Sequence, residues 1–263
     1  MSKKLTVSSI KKSKGVKPLV MITAYDALFA RLLEPSADMI LVGDSLNMSF
    51  AGRSDTISAT LDQMIYHTNA VCMGAKNSFI ICDMPFGTYT DADKALQNAI
   101  KVFQNTQADC VKIEGGADKA HIIKHLTNNA IAVCGHIGLL PQSVRSEGGY
   151  KVKGKTLQEK ESLLKDAKAV EAAGAFCMVI EGTKADVARE IAQSVSIPVI
   201  GIGAGAEVDG QVLVFSDMLG LFEEFTPKFV KKYLNGADLV KDALKEYADE
   251  VVAHTFPKEE HTY

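Results

Sequence analysis

The chain has 263 residues and a mass of 28.3 kDa, with 47% hydrophobic and 23% charged residues. This composition is near that of average globular proteins, so it excludes an intrinsically disordered chain and leaves enough apolar side chains for a core. The 29 basic and 32 acidic residues are interspersed and give a net charge of -3, which argues against nucleic acid or a membrane as a partner and favours a small-molecule ligand.

The N-terminal segment and the cysteines indicate a cytoplasmic protein. The segment before Asp26 contains lysines but only a short apolar run without a small-residue cleavage site, so we expect neither a signal peptide nor a membrane span. The chain has five cysteines, an odd number, and none of them form a Cys-x-x-Cys pair. This is typical of reduced thiols in a core rather than of a disulfide framework.

Short apolar runs recur along the chain, and each is followed by a polar residue and then by a segment with helical periodicity. This alternation predicts parallel strands connected by helices. The predicted strands are 19–23, 39–42, 79–82, 110–113, 131–134, 177–180, 199–203 and 212–215. Towards the C-terminus, 228–234 and 239–254 are predicted to be terminal helices that cover the barrel or contact another subunit.

The runs are apolar on both faces, as strands covered by helices must be. The acids that follow them recur at intervals of about one β/α unit, which favours a closed barrel over an open doubly wound sheet. We therefore predict an α/β fold, a (β/α)8 TIM barrel with an N-terminal extension and additional C-terminal helices. No linker divides the chain, so residues 1–263 are predicted to be a single domain.

Polar side chains follow five of the predicted strands, where the βα loops of a barrel converge. They are Asp44, Asp83, Glu114, His136 and Glu181. A single acid in such a position is more often a helix N-cap, but four acids and a histidine at five strand ends favour an active site. Carboxylates gathered in one cleft repel one another, and a divalent cation is the simplest compensation. Oxygen ligands favour Mg²⁺ over Zn²⁺.

Lys112 lies two residues before Glu114 on the same strand, so both side chains are expected to face the barrel interior. A buried lysine beside acids indicates either a salt bridge or an anion clamp, and the two interpretations stay open. For His136, a structural role and a functional role are likewise both open.

Three loops are unusual. The connections over 45–60 and 137–156 are longer than a barrel turn requires, and long βα loops usually carry function; the second is predicted to be a lid or a substrate wall. The glycine-rich 201–205 segment fits a dinucleotide pattern loosely but follows the seventh strand instead of the first. Its glycines are predicted to allow close approach of substrate or backbone.

Ordered segments over nearly the whole chain resemble the ketopantoate hydroxymethyltransferase family. They are MITAYD (21–26), LVGDSLNM (41–48), DMPFGTY (83–89), VKIEGG (111–116), VCGHIGLLPQSV (133–144), GGYKVKGK (148–155), IPVIGIGAG (197–205) and FPKEEH (256–261). The resemblance implies transfer of a hydroxymethyl group from 5,10-methylenetetrahydrofolate, as co-substrate, to 3-methyl-2-oxobutanoate. The product is 2-dehydropantoate, a precursor in pantothenate and coenzyme A biosynthesis. The sequence of the loop over 47–60 departs from the family pattern.

The resemblance also implies residue roles, a metal and an assembly. The implied ligands of Mg²⁺ are Asp44, Asp83 and Glu114. The implied contacts of the keto acid are Asp44, Ser45, Asp83 and Lys112. Glu181 would be the proton acceptor, with His136 as a supporting residue near the substrate. Mg²⁺ chelated by the keto acid would stabilise the enolate, and the assembly implied is a homo-oligomer, a toroidal decamer.

Two other functions are compatible with such a barrel. A Mg²⁺-dependent lyase or mutase of the phosphoenolpyruvate mutase and isocitrate lyase type shares the enolate chemistry but usually depends on a cysteine in a glycine-rich loop. Here Cys134 and Cys177 lie in predicted strands, and the long loops contain no cysteine. A non-catalytic binding protein on the same barrel would bind the keto acid without turnover.

Overall fold

A computed structural model describes residues 4–263. The chain divides into two compact units, the first ending at Val214 and the second spanning Phe215–Tyr263. The prediction of one domain over the whole chain stays a prediction. Within residues 4–263, no helix has the length and apolar character needed to cross a bilayer.

The first unit is a closed barrel of parallel strands in which β1 pairs with β8. The strands are β1 Leu19–Thr23, β2 Met39–Val42, β3 Phe79–Asp83, β4 Cys110–Glu114, β5 Val133–Gly138, β6 Cys177–Glu181, β7 Val199–Ile202 and β8 Gly210–Leu213. The predicted (β/α)8 barrel is therefore confirmed, and the open sheet is excluded.

In the part of the chain that the structure describes, one helix precedes β1, and helices follow every strand except β7. In the first unit they are α1 Val7–Lys12, α2 Ala27–Leu33, α3 Leu46–Ser49, α4 Leu61–Gly74, α5 Ala92–Asn105, α6 Ala120–Asn128, α7 Val144–Glu147, α8 Leu157–Ala172 and α9 Ala185–Ser194, with 3-10 turns at Glu34–Ser36 and Pro141–Ser143. The second unit contains α10 Phe215–Met218, α11 Gly236–Val252 and a 3-10 turn at Glu259–His261.

Buried strands form the core of the barrel. Every residue of β2, β3 and β4 is buried, as expected for strands with helices on one side and the filled barrel interior on the other. Met21, Met39, Leu41, Phe79 and Ile81 belong to one continuous apolar cluster. The five cysteines are free and buried, which agrees with the predicted thiols.

The helix N-caps are separate from the strand-end acids. Asp26, Thr60, Asp91 and Thr156 cap α2, α4, α5 and α8 by accepting a hydrogen bond from a backbone N–H in the first turn. Such a cap typically stabilises a helix by about 1 kcal/mol. None of the four acids predicted at strand ends is an N-cap of these helices, so the cap explanation does not account for them.

Two strand predictions missed the observed bounds by two residues or more, and four others differ by one residue. β5 begins two residues later than predicted and continues to Gly138, and β8 begins at Gly210 and ends before the predicted Phe215. Gly135 and Gly210 lie in the stretches that the prediction missed, and glycines are weak strand formers unless a close contact requires them. A Cβ on Gly135 would lie 2.4 Å from Val170 Cγ1, and one on Gly210 would lie 2.4 Å from the carbonyl oxygen of Leu19.

The predicted helix over 228–234 was also wrong. A turn closes there by a hydrogen bond from the Val230 N–H to the Pro227 oxygen, and the Tyr233 N–H donates to the Met218 oxygen. These backbone groups are satisfied by a turn and by a contact with the end of α10 rather than by a helix of their own. The helix predicted over 239–254 is confirmed as α11, which starts earlier and ends at Val252.

Candidate active site

The five predicted polar residues lie at the C-terminal ends of consecutive strands. Asp83, Glu114 and Glu181 are the last residues of β3, β4 and β6, His136 is in β5, and Asp44 follows β2. All except Glu181 are buried, and the Glu181 side chain is 18% exposed. Because parallel strands end at the same rim of a barrel, these residues come together at its mouth.

Lys112 forms a salt bridge in the centre of this group. Its Nζ lies 2.6 Å from Asp83 Oδ1 and 3.9 Å from Glu114 Oε1. Burial lowers the pKa of Lys112, but the charges of the surrounding acids more than offset it, so the pKa is raised and the side chain is a cation. The salt-bridge interpretation is confirmed. The role as an anion clamp stays a prediction.

Asp44 is the acid whose charge is compensated least. Its backbone N–H donates to Asp83 Oδ2 at 3.2 Å, and its Oδ2 accepts from Gln142 Nε2 at 2.8 Å. Burial raises its pKa well above the usual range, and the charges of Asp83 and Glu114 raise it further. The pKa of Asp83 is also raised, first by burial, although Lys112 lowers it. The two aspartates therefore favour either a proton or an added cation.

His136 lies between two of the acids. Its Nε2 is 3.3 Å from Glu181 Oε2, and its Nδ1 is 3.5 Å from Glu114 Oε1. Burial and the charge of Lys112 lower the pKa of His136, but its contacts with Glu114 and Glu181 raise it to about 9 overall. Although burial raises the pKa of Glu114, His136 and Lys112 lower it below its usual value. The histidine therefore stabilises the Glu114 carboxylate as an anion.

Sequence reasoning missed Gln142, which joins the loop after β5 to the acids. Its backbone N–H donates to Glu114 Oε2 at 3.0 Å, and its side-chain Nε2 donates to Asp44 and to the Met84 oxygen. The buried hydroxyl of Tyr89 donates to Gln142 Oε1, which fixes the orientation of the amide. Gln142 lies within one of the matched segments, and this was the signal that could have identified it.

Ser45 is oriented by a second residue that the sequence did not single out. The Ser45 Oγ lies 2.8 Å from the hydroxyl of Tyr25, a fully buried side chain just after β1. His67 Nδ1 lies 2.6 Å from the backbone oxygen of Tyr25, so α4 also contacts the segment that follows β1. The Ser45 hydroxyl is thus held by a hydrogen bond to the segment that follows β1.

The two long loops are attached to each other. Asn47 is buried, and its Nδ2 donates to the backbone oxygen of Asp55 at 2.7 Å and to Ser58 Oγ at 2.9 Å. Asp55 Oδ2 in turn lies 2.9 Å from Arg145 Nη2 in the loop after β5. The internal amide therefore stabilises the 45–60 loop, and one ion pair links it to the 137–156 loop.

The acids fit Mg²⁺ without forming a complete cage. Within residues 4–263, no group of three or more His, Cys, Asp or Glu side chains is arranged as a ready-made metal cluster. Mg²⁺ is usually held by only one or two carboxylates, with substrate and water completing the shell. Asp44 and Asp83 are adjacent, offer only oxygen and favour an added cation. Glu114 as a third ligand stays a prediction.

Comparisons with known proteins agree with the sequence motifs. Residues 4–259 match the family described as ketopantoate hydroxymethyltransferase. The 3-methyl-2-oxobutanoate hydroxymethyltransferase of Sulfurimonas denitrificans is 79% identical over 263 residues, covering 100% of both chains. The enzyme of that name from Aliarcobacter butzleri is 66% identical over 260 residues, covering 99% of this chain and 97% of that protein.

Solved structures with much lower identity share the fold. A 2,3-dimethylmalate lyase, described as a member of the PEP mutase/isocitrate lyase superfamily, aligns with a TM-score of 0.62 and 16% identity. The alignment covers 98% of this chain and 92% of that one. At this identity the likeness concerns the barrel alone, and it gives no support to a lyase activity.

Proposed function

The chain belongs to the ketopantoate hydroxymethyltransferase family, and from this membership we propose that it converts 3-methyl-2-oxobutanoate into 2-dehydropantoate with 5,10-methylenetetrahydrofolate as the one-carbon donor. The observation that carries the proposal is the division of the acids into two groups by their partners. Asp83 pairs with Lys112 and accepts from the Asp44 N–H, whereas Glu181 lies against His136, whose other ring nitrogen is 3.2 Å from Lys112 Nζ.

The first group suits binding of a keto acid. Lys112 supplies a buried positive charge for the substrate carboxylate, and Ser45 supplies a hydroxyl whose position is set by Tyr25. Asp44 and Asp83, with Glu114 as the further predicted ligand, would hold Mg²⁺. When bound, the metal would chelate the keto acid and stabilise negative charge on its carbonyl oxygen.

The second group suits proton removal. Glu181 would take the proton from the carbon next to the carbonyl group, and a carboxylate can do this when that proton is acidified by the bound substrate's surroundings. His136, 3.3 Å from Glu181 Oε2, is a positioning residue for this base. The substrate carbon then forms a bond to the one-carbon unit, and the donor's two carbon–nitrogen bonds break. Water supplies the hydroxyl oxygen, and the two freed nitrogens take up the proton removed from the substrate and one proton from the water.

A direct assay tests the activity. The protein is incubated with 3-methyl-2-oxobutanoate, 5,10-methylenetetrahydrofolate and Mg²⁺, and 2-dehydropantoate is measured. We expect the wild-type protein to form product. Product formation should be lost when EDTA removes the metal, and also in the Asp83→Ala variant. The control is Asp91→Ala, which removes an acid that caps α5 outside the site and should keep its activity. A wild-type protein that forms no product with both substrates and metal present contradicts the proposal.

The family membership also supports two coarser proposals. We propose a cytoplasmic location, to which the five free, buried thiols are suited. We also propose a homo-oligomer, with ten subunits as the specific assembly. Support comes from the exposed apolar side chains of α11, since a continuous apolar stripe on one helix usually marks a contact surface.

A further inference from the structure

A cavity of about 240 Å³ opens beside the acid cluster, between the loops that follow β3, β4 and β5. Glu114 and Gln142 line one side of it, so a molecule in the cavity would lie next to the group that holds the metal and the keto acid. Its lining does not include the residues assigned to the keto acid, namely Asp44, Ser45, Asp83 and Lys112. The cavity is therefore adjacent to the keto-acid site and separate from it.

The walls suit a flat ring. Phe86, Tyr89 and Leu140 line the cavity, and the Phe86 side chain is 52% exposed. An exposed aromatic face gains free energy by stacking against another ring system. Sites for whole drug-sized ligands are roughly 300–1,000 Å³, so this smaller space fits one ring system rather than a whole folate.

The lining also contains a carboxylate and an ammonium group side by side. Asp118 and Lys119 line the cavity, with Lys119 Nζ 3.7 Å from Asp118 Oδ2. The Gly116 N–H donates to Asp118 Oδ1 at 3.1 Å. The stem of Lys119 packs on Gly115, where a Cβ would lie 2.3 Å from Lys119 Cγ. The backbone after Glu114 therefore positions both charged groups.

Together these features match the pterin of a reduced folate. One edge of that bicyclic ring has amide and amino N–H donors beside a carbonyl acceptor, complementary to a carboxylate next to an ammonium group. We infer that the cavity binds the pterin of the one-carbon donor, with Phe86 against the ring, Asp118 accepting from the N–H groups and Lys119 donating to the carbonyl oxygen. This inference rests on the proposed function and adds the donor site to it.

The test separates donor binding from chemistry on the keto acid. Tetrahydrofolate binding is measured by calorimetry, and the KM for the methylene-carrying folate donor is measured in the transfer assay. Exchange of the substrate's proton in D₂O without any folate reports the keto-acid site alone. The variants are Phe86→Ala and Lys119→Ala. The matched controls are Tyr66→Ala, an exposed aromatic on α4, and Lys124→Ala, an exposed lysine on α6.

We expect Phe86→Ala and Lys119→Ala each to weaken tetrahydrofolate binding and raise the donor KM by about tenfold, the effect of losing roughly 1.4 kcal/mol. Proton exchange and the keto-acid KM should stay within about twofold of wild type, a difference below roughly 0.5 kcal/mol, as should every constant of the two controls. Unchanged donor constants in both variants would overturn the inference. So would a slower exchange with a raised keto-acid KM, because the cavity would then hold the keto acid.

Failure of the proposed function has a different signature. A wild type that neither exchanges the proton nor forms product contradicts that function, whatever the variants do. Tetrahydrofolate binding that still depends on Phe86 and Lys119 would then support the cavity assignment on its own. Binding that is absent, or independent of both residues, would overturn it.

Discussion

At the scale of single residues, the acids at the barrel mouth differ in how their charge is balanced. Glu114 is held as an anion by His136 and Lys112, whereas burial and its neighbours raise the pKa of Asp44 well above the usual range. A divalent cation beside Asp44 and Asp83 would remove this imbalance. The charge distribution therefore supports metal binding at the aspartates more strongly than at Glu114.

Gln142 provides the first residue-scale prediction. Its amide and backbone contact Asp44 and Glu114, and Tyr89 fixes its orientation. Groups that orient metal ligands typically contribute 10–100-fold to metal affinity or activity. We expect Gln142→Ala to weaken Mn²⁺ binding, measured by electron paramagnetic resonance, and to lower kcat by about tenfold or more. Gln97→Ala, on the exposed surface of α5, is the control, and equal Mn²⁺ affinity in both variants would contradict the role.

Asp217 provides a prediction about pH and stability. Burial raises its pKa to about 6, and Ser216 and Lys232 lower it only in part. Because the unfolded pKa is about 3.9, ionisation opposes folding, with no effect below about pH 4 and the full effect above about pH 6. Asp217→Asn, which stays neutral, should raise Tm at about pH 8 and leave it unchanged at about pH 4. Thermal scans that show the same difference at both pH values would exclude this cause.

At the scale of elements, the strands were predictable and the loops were not. Apolar runs between polar residues located β1 and β2 at their observed bounds, because burial on both faces is a strong and local signal. The prediction missed parts of β5 and β8 that contain Gly135 and Gly210. Glycine is required there because a Cβ would collide with Val170 or with the Leu19 backbone, and such contacts between distant segments leave no local pattern in the sequence.

The same division holds for the site: its residues at strand ends were predictable, and its residues on loops were not. Asp44, Asp83, Glu114, His136 and Glu181 are strand-end residues, which barrel geometry brings together whatever the loops do. Gln142 and Tyr89 meet across loops that are remote in sequence, and no local pattern encodes such a contact. The roles assigned to the individual residues stay predictions.

Asn47 provides a prediction for the 45–60 loop. Its buried amide donates to the backbone oxygen of Asp55 and to Ser58 Oγ. Removal of a buried donor with such partners typically lowers the free energy of unfolding by about 1–3 kcal/mol. Asn47→Ala should lower the free energy of unfolding by that amount in urea titrations. Arg145→Ala removes an ion pair between a largely exposed arginine and the buried Asp55, which keeps a hydrogen bond from the Ile57 N–H, and should cost less than Asn47→Ala. The reverse order would show that the ion pair stabilises the loop.

At the scale of the whole molecule, α11 carries exposed apolar residues at intervals of three and four. Val240, Leu244, Tyr247 and Val251 are each at least 41% exposed, and this spacing forms one stripe along the helix. Ordinary monomers rarely expose continuous apolar stripes. The proposed assembly of identical chains would cover it.

The assembly leads to a prediction for Leu244. A charge in the stripe would have to be desolvated on association, so Leu244→Glu should shift the particle to a smaller mass in light scattering coupled to gel filtration. Glu246→Ala, a change of an exposed residue on the same helix, should keep the wild-type mass. An unchanged mass in Leu244→Glu, or a monomeric wild type, contradicts association through α11.

The central claim is that this barrel enolises 3-methyl-2-oxobutanoate with Glu181 as the base. It is tested most directly by proton exchange at the carbon beside the carbonyl group, followed by NMR in D₂O with Mg²⁺ and no folate. The wild type should exchange this proton. Glu181→Gln should bind the keto acid with about the wild-type affinity in calorimetry and lose exchange by about 100-fold or more, as expected for loss of a general base. Exchange at the wild-type rate in Glu181→Gln would contradict the claim.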